Sequence, residues 1–312
     1  MKRKQLRVAV VCGGVSTERE ISLKSGEAIY NALREYGYEN ITLFDLKADN
    51  LHELLAMDID VAFLALHGMG GEDGCIQGAL RLAGIPFTGP NVEASAVCMN
   101  KILTKFVLKE NDLPTAEFRI INREDYGEAS KKRIADEIGF PMVVKSPCQG
   151  SSIGVVIVKS QDEMDNAAKE IFKYGNRMLA EQFIDGTELT LPIIGNDELT
   201  VLPDIEITSE REFYDYKAKY TNGLCHHIIP SRISDDVRSK VREIGEKAYR
   251  TLGCRGISRI DFIADKEGNP YIIEVNTIPG MTAMSLVPDS ARYYGMSFGE
   301  LADKIVGFAL EK

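Results

Sequence analysis

The stretch DFIADKEGNPYIIEVNTIPGMT, from Asp261 to Thr282, decides the fold of the last third of the chain. Two runs rich in β-branched residues, GISRIDFIA and PYIIEVN, flank the turn-forming sequence DKEGNP. Strand-like runs separated by a short segment rich in Gly, Asn and Asp are typical of a β-hairpin. We therefore predict two antiparallel strands here.

Two carboxylates of this hairpin are predicted to face each other. Because side chains alternate along a strand, Asp261 and Ile263 share one face of the first strand. Ile272, Glu274 and Asn276 share one face of the second. If Ile263 lies opposite Ile272, then Asp261 lies opposite Glu274, with Cβ atoms about 5 Å apart. Like charges directly opposite each other destabilise a strand pair, so a cation must neutralise them.

A divalent metal ion is our preferred cation. Asp261, Glu274 and Asn276 offer hard oxygen ligands, and Mg²⁺ takes few protein carboxylates and completes its octahedron with water and substrate phosphates. The alternative is Arg259, two residues before Asp261 on the same face, which would neutralise the pair without metal. An ion pair alone gives no role to Asn276.

The N-terminal segment reads as an open parallel α/β sheet. The run RVAVVCGG is followed by a helical pattern, two further strand-like runs (NITLFDL and VAFLALHG) and the helical run CIQGALRLAG. Loops at the carboxyl ends of such strands bind ligands, and these loops hold Gly13, Gly14, Glu18 and His67. The two glycines either hold a phosphate or make a tight strand-to-helix turn, and Glu18 also suits a helix N-terminus.

The middle and C-terminal parts read as α+β with antiparallel strands. The run VVKSPCQGSSIGVVIV predicts a hairpin whose Gly-Ser tip folds over phosphates, with Lys145 on the phosphate side. Its spacing is not that of a P-loop. Lys101 opens a helical run, where a cation opposes the helix dipole, and this favours a bound phosphate.

Composition indicates an ordinary globular protein of 312 residues, with 44% hydrophobic and 27% charged residues. Its net charge of −10 disfavours non-specific binding to nucleic acid. No apolar run is long enough for a membrane span, and we interpret the apolar run near the N-terminus as a buried strand rather than a leader. The six scattered cysteines form no CxxC pair, which favours reduced thiols in the cytoplasm.

Several segments together resemble a known enzyme family. AEQFIDGTELT, KSPCQGSSIGV and the opening hairpin resemble the ATP-grasp superfamily. GGVSTEREISLKSG, LHGMGGEDGCIQGALRLAGIPFTG, FYDYKAKY and MSLVP narrow the resemblance to the D-alanine–D-alanine ligases. It covers nearly the whole chain, in order.

The resemblance implies three domains. They are an N-terminal α/β domain at 1–95, a central ATP-grasp subdomain at 96–181 and a C-terminal one at 182–312, with ATP between the last two. It implies a cytoplasmic homodimer that uses ATP and two Mg²⁺ ions, or Mn²⁺, to join two D-alanines through a D-alanyl phosphate for peptidoglycan synthesis. No nucleic-acid or membrane partner is expected.

The resemblance also implies a role for each site residue. ATP is bound by Lys101, Lys145, Ser151, Glu181, Gln182, Phe183, Ile184, Glu188 and Lys219, and metal is bound by Asp261, Glu274 and Asn276. The first D-alanine contacts Glu18 and His67, and the second contacts Ser285 and Leu286. Ser151 and Tyr220 close the site, and Arg259 and Gly280 bind the oxyanion.

Two alternatives remain open. A ligase of the same kind could use D-serine or D-lactate as its acceptor, although Tyr220 favours D-alanine. A non-catalytic nucleotide-binding module is expected to have lost at least one of Lys145, Arg259, Asp261, Glu274 and Asn276, and all five are present.

Overall fold

The computed structural model describes residues 3–150, 153–209 and 225–311. Its α-helices are α1 Arg19–Glu35, α2 Leu51–Ala56, α3 Cys75–Leu82, α4 Val92–Met99, α5 Lys101–Glu110, α6 Glu128–Ile138, α7 Met164–Ile171, α8 Asp235–Thr251, α9 Leu286–Tyr293 and α10 Phe298–Leu310. Its strands are β1 Arg7–Gly13, β2 Asn40–Leu46, β3 Val61–Leu64, β4 Phe118–Asn122, β5 Met142–Lys145, β6 Val155–Val158, β7 Arg177–Gln182, β8 Gly186–Gly195, β9 Leu199–Val201, β10 Ile205–Ser209, β11 Cys225–Ile228, β12 Gly256–Asp265 and β13 Pro270–Asn276.

The first three strands form a parallel sheet in the order β2–β1–β3, as the sequence predicts. The central strand β1 is buried over six of its seven residues, which is why its sequence is a continuous apolar run. Helix α2 was not predicted from the sequence. It has six residues, of which only Leu54 is buried, so it carries too short a pattern to reveal a helical period.

The Gly-Gly pair after β1 makes a tight turn. Gly13 and Gly14 have φ values of 86° and 82°, in the left-handed region that favours glycine. The Gly13 N–H donates to Ser22 Oγ at 2.8 Å, and the Gly14 N–H donates to the Leu46 carbonyl at 2.8 Å. Both amides are therefore used within the protein, which favours the turn over a phosphate-binding role.

Two further sheets are antiparallel, which confirms the predicted fold class. One has four strands in the order β4–β7–β5–β6. The other has six strands in the order β11–β10–β8–β12–β13, with β9 paired to β8. The three sheets follow one another along the chain, and the domain boundaries at residues 95 and 181 stay a prediction.

The register of the β12–β13 hairpin was predicted only in part. Asp261 pairs with Glu274, as expected. However, the register shifts at the next pair, so that Phe262 lies opposite Ile272 and Ile263 lies opposite Tyr271. A β-bulge inserts one extra residue into a strand and turns the side chains beyond it to the other face. The prediction that Ile272 shares a face with Glu274 is therefore wrong, and Ile272 is buried in the core beside Phe262.

The last helix packs against the first sheet. Leu301 and Ile305 of α10 belong to the same hydrophobic cluster as Val8 of β1 and Ile29 of α1. In α10, Asp303 also accepts hydrogen bonds from Arg3 at 2.7 Å and from the Tyr38 hydroxyl at 2.9 Å. The two ends of the chain therefore share one core. No helix in the described ranges has the length and apolar character needed to cross a membrane.

Alanine substitutions at Gly26 and Gly78 are predicted to have opposite effects on stability, because only Gly26 lies in the close contact between α1 and β1. A Cβ atom on Gly26 would lie 2.4 Å from Cys12 Cβ, whereas one on Gly78 of α3 would lie 3.9 Å from its nearest neighbour, Val92. Overpacking costs about 1–3 kcal/mol, and replacing a helical glycine by alanine offsets about 1 kcal/mol. We expect Gly26→Ala to lower the free energy of unfolding in urea and Gly78→Ala to raise it. Equal effects of the two variants would contradict this account of the α1–β1 contact.

Candidate active site

A cavity of about 1140 Å³ lies between the four-stranded and six-stranded sheets, and loops of the first sheet also line it. Every predicted site residue that the structure describes lines it: Glu18, His67, Lys101, Lys145, Glu181, Gln182, Phe183, Ile184, Glu188, Arg259, Asp261, Glu274, Asn276, Gly280, Ser285 and Leu286. The other predicted residues, Ser151, Lys219 and Tyr220, lie outside the described residues. Residues far apart in the sequence therefore meet in one place.

The facing carboxylates of the hairpin are neutralised by two side-chain cations. Arg259 donates from Nε to Asp261 Oδ1 at 2.8 Å and from Nη2 to Oδ2 at 2.7 Å. Lys101 Nζ lies 3.2 Å from Glu274 Oε2. Asn276 and Thr190 add hydrogen bonds to Asp261. The arginine that the sequence offered as an alternative to metal therefore occupies Asp261 in this structure.

The same side chains have the chemistry of a magnesium site. Two carboxylates and one amide oxygen are hard ligands suited to Mg²⁺. Across residues 3–150, 153–209 and 225–311, no three His, Cys, Asp or Glu side chains gather in a metal-binding cluster. Asn276 is adjacent to this pair, since its Nδ2 donates to Asp261 Oδ2 at 3.0 Å, and the same amide group carries the oxygen that would be the third ligand. The residues fit the ion, and the assignment stays a prediction.

A second group of charges is buried in the wall of the cavity. Glu181 on β7 lies between two ammonium groups: its Oε1 is 2.8 Å from Lys105 Nζ, and its Oε2 is 2.6 Å from Lys145 Nζ. Burial alone raises the pKa of Glu181, but the two lysines outweigh it and hold the pKa below its usual range. Lys105 was not predicted as a site residue. The carboxylate of Glu181 faces these two lysines. Its predicted contact with adenine stays a prediction.

The hairpin tip between β5 and β6 approaches the first sheet. Lys101 Nζ donates to the Gln149 carbonyl at 2.8 Å. A Cβ atom on Gly150 would lie only 2.9 Å from Glu18 Oε2, so a larger residue here would displace the Glu18 carboxylate. The predicted contact between Glu18 and Ser151 involves the next residue, which lies outside the described part of the chain.

His67 is a neutral, buried histidine. Burial lowers its pKa to about 4. Its Nδ1 lies 3.1 Å from the Ile278 carbonyl, and its Nε2 lies 3.1 Å from Ser25 Oγ. We infer the tautomer with Nδ1–H donating to Ile278, because a carbonyl can only accept. Nδ1 thus ties the loop after β3 to the loop after β13, and Nε2 ties it to α1. The predicted proximity of His67 to the first substrate stays a prediction.

Glu72 is a cavity residue for which the sequence suggested no role. Its Oε2 accepts the Gly68 N–H at 2.7 Å, and its Oε1 accepts the Ile278 N–H at 3.4 Å. Burial, followed by the charge of Glu18, raises its pKa to about 8. Its carboxyl is therefore mostly protonated at neutral pH. The signal was present in the glycine-dense loop HGMGGEDG, although nothing in that motif distinguishes the buried Glu72 from its neighbour Asp73.

The N-terminus of α9 also lines the cavity. Ser285 is the residue before the helix, and its Oγ accepts the Thr282 N–H at 2.9 Å. A Cβ atom on Gly280 would lie 3.0 Å from that Oγ. One turn into the helix, Asp289 Oδ2 lies 2.9 Å from His227 Nδ1. A helix N-terminus next to an open cavity favours a bound anion.

Two antiparallel sheets on either side of one cavity are the arrangement of the ATP-grasp fold. Family models described as "D-ala D-ala ligase C-terminus" and "D-ala D-ala ligase N-terminus" match residues 107–307 and 47–90. The chain belongs to the D-alanine–D-alanine ligase family.

Individual relatives agree with that assignment. The chain is 47% identical to the D-alanine--D-alanine ligase of Desulforamulus reducens, covering 98% of this chain and 99% of the relative. It resembles the crystal structure of the Bacillus anthracis D-alanine--D-alanine ligase complexed with ATP, with a TM-score of 0.84, 34% identity and coverage of 98% and 97%. It also resembles the VanG D-Ala:D-Ser ligase of Enterococcus faecalis, with a TM-score of 0.85, 29% identity and coverage of 98% and 100%.

The raised pKa of Glu72 predicts a pH-dependent stability difference. In the unfolded chain this carboxyl ionises at its usual pKa near 4.5, whereas in the folded protein it stays protonated up to about pH 8. Its stabilising contribution is therefore complete below the unfolded pKa and is lost as the pH rises towards about 8. Glutamine cannot ionise. We expect Glu72→Gln to gain thermal stability relative to the unaltered protein as the pH rises from about 5 to about 8.

Melting temperatures measured at several pH values across this range would test this expectation. Glu39→Gln, which removes an exposed carboxylate, serves as the charge control. A melting-temperature difference between Glu72→Gln and the unaltered protein that does not change with pH would contradict the raised pKa.

Proposed function

We propose that this protein ligates two D-alanine molecules to D-alanyl-D-alanine, with conversion of ATP to ADP and phosphate, for peptidoglycan precursor synthesis. The observation that carries the proposal is that all the described site residues line one cavity in a chain of the D-alanine–D-alanine ligase family. The cavity is lined by cations and by a helix N-terminus. That arrangement suits a nucleotide triphosphate at the cations and a substrate carboxylate at the helix N-terminus.

ATP is assigned to the part of the cavity between the two antiparallel sheets. Val143 and Ile157 of one sheet and Ile263 of the other line this part, and such apolar walls suit the two faces of a purine ring. The segment Glu181, Gln182, Phe183 and Ile184 is assigned to the adenine site, and Glu188 to the ribose hydroxyl groups. Lys101 and Lys145 are assigned to the phosphates.

Two D-alanine sites complete the assignment. Glu18 is assigned to the ammonium group of the first D-alanine, whose carboxylate attacks the γ-phosphate to give an acyl phosphate and ADP. The amine of the second D-alanine then attacks that carbonyl, and phosphate leaves from a tetrahedral intermediate. Arg259 and the Gly280 N–H are assigned to its oxyanion, and Ser285 and Leu286 to the carboxylate of the second D-alanine. Fixed donors of this kind stabilise charge only as it develops.

Magnesium is assigned to Asp261, Glu274 and Asn276, as two ions, with Mn²⁺ as a substitute. When bound, the metal neutralises charge on the transferred phosphoryl group. Arg259, which holds Asp261 here, is then available for the oxyanion. The acyl phosphate must be kept from water, and Ser151, Lys219 and Tyr220 are assigned to closing the cavity and holding ATP.

Two finer assignments rest on the family resemblance. We propose a homodimer, which light scattering after size-exclusion chromatography would test. We also propose that the protein acts in the cytoplasm, where ATP is available and where thiols stay reduced. Five cysteines in the described part of the chain are free, which agrees with such a compartment.

Phosphate release tests the proposed function. The purified protein is mixed with ATP, Mg²⁺ and a panel of D-amino and D-hydroxy acids, and the products are identified by mass spectrometry. We expect D-alanine alone to give phosphate and D-alanyl-D-alanine. Preferential formation of a mixed product with D-serine or D-lactate would replace the proposed acceptor, and absence of turnover with every acid would contradict enzymatic activity.

The magnesium assignment predicts loss of turnover in Glu274→Gln. The substitution removes a ligand charge and the ion pair to Lys101 while keeping the shape of the side chain. We expect a folded protein whose activity falls by at least about a hundredfold and is partly recovered at high Mg²⁺. Glu267→Gln is the matched control, because it removes the same charge from the exposed turn of the same hairpin. Near-normal turnover of Glu274→Gln at ordinary Mg²⁺ would refute the assignment.

A further inference from the structure

Three charged side chains form a buried group in the wall of the part of the cavity that is assigned to ATP: Lys105 on α5, Glu181 on β7 and Lys145 on β5. We call this group the lysine–glutamate trio. The side chains of Lys105, Glu181 and Lys145 are 2%, 6% and 4% exposed. Each oxygen of the single carboxylate faces one ammonium group.

This trio carries one positive charge more than it carries negative charge. A buried charge without a partner is costly, so a surplus of this kind requires either a further anion or access to one. Glu117 is the other acid near Lys105, but it is exposed and lies 3.0 Å from Lys109. Lys105 and Lys145 both line the cavity, so the anion that matches the surplus is one that enters the cavity.

The two lysines are held in different ways. Three oxygen atoms surround the Lys105 ammonium group: Glu181 Oε1 at 2.8 Å, Thr115 Oγ1 at 2.7 Å and the Ala116 carbonyl at 3.1 Å. Within residues 3–150, 153–209 and 225–311, the Lys145 ammonium group has Glu181 as its one partner. An ammonium group has three donors, so Lys145 keeps donors for a ligand and Lys105 does not.

Lys105 is also fixed from outside the trio. The Thr115 hydroxyl that accepts from Lys105 donates in turn to the Ile272 carbonyl at 2.9 Å. Ile272 lies on β13, the strand that carries Glu274. Lys105 is therefore tied to both sheets that enclose the cavity, and moving it would disturb both.

We propose that Lys105 is a positioning residue that stays on Glu181 as its permanent counter-ion, so that Lys145 can leave Glu181 and bind a nucleotide phosphate. The inference rests on the proposed function, which gives Lys145 that phosphate. Without Lys105, the movement of Lys145 would leave the Glu181 carboxylate buried and unpaired. Lys105 thus acts on ATP through Lys145 and without touching it.

A double-mutant cycle on the full chain tests this inference. The dissociation constant of ADP is measured by calorimetry for the unaltered protein, Lys105→Met, Glu181→Gln and the double variant. We expect Lys105→Met to raise the dissociation constant roughly tenfold, because Lys145 then stays on the carboxylate. In the Glu181→Gln background the same change should cost less than about threefold, since no buried charge remains to be neutralised.

Steady-state kinetics separate positioning from a purely structural effect. Lys105→Met should raise the KM for ATP and leave the KM for D-alanine within about twofold of the unaltered value. Lys109→Met is the matched control. Lys109 lies one turn further along α5 and faces the same Phe118 ring at 5.5 Å, compared with 5.1 Å for Lys105. It is exposed and outside the trio, so its removal should change neither constant.

Each result has a defined meaning. An equal loss of ADP affinity in both backgrounds, or no loss in either, would overturn the role of Lys105 while leaving the proposed function intact. Failure of the unaltered protein to bind ADP would instead overturn the proposed function. If Lys105→Met does not fold, Lys105→Gln keeps polar contacts to Thr115 and Ala116 without the charge, and the same expectations apply to it.

Discussion

Two negative charges held face to face organise the whole cavity. Asp261 and Glu274 are adjacent across β12 and β13. Nearby positive charge must balance their repulsion in every state of the protein, with or without ligands. In this structure Arg259 balances the first and Lys101 balances the second. The side chains assigned to the oxyanion and to a phosphate are thus the same ones that hold the carboxylates when no ligand competes for them. Binding here is an exchange of partners among charges that are already close together.

Two residues in the loop after β3 contribute through hydrogen bonds rather than through ion pairs. His67 and Glu72 both lie in the loop after β3, and burial acts on each of them in the direction that removes charge. Near neutral pH the first is an uncharged imidazole and the second is mostly an uncharged carboxyl group. Their contribution is a set of hydrogen bonds to Ile278 that fixes the loop after β13 against the first sheet. The cavity therefore combines ion pairs whose partners can exchange with uncharged groups whose hydrogen bonds to Ile278 are fixed.

Much of the fold could be predicted from the sequence, because periodicity and turn residues are local properties. Most of the residues that line the cavity were predicted from the family resemblance. The parallel sheet, the hairpin and the pairing of Asp261 with Glu274 all follow from alternation and turn residues. The position of Ile272 did not, because a β-bulge is not visible in an alternating pattern and reverses every face beyond it. Lys105 was missed because a lysine on an amphipathic helix has the same local pattern whether it meets water or a buried carboxylate. Only the packing of β7 against α5 distinguishes the two.

The shared core of the two chain ends has a consequence for how the protein is made. During synthesis β1 and α1 leave the ribosome before α10, yet the cluster that buries Val8 and Ile29 also contains Leu301 and Ile305. Domains at the start of a chain usually fold while the rest is still being synthesised. Here the nascent first sheet keeps part of its apolar surface uncovered until the last helix emerges. The newly made chain therefore passes through a period in which α10 is absent and this surface is open to other chains.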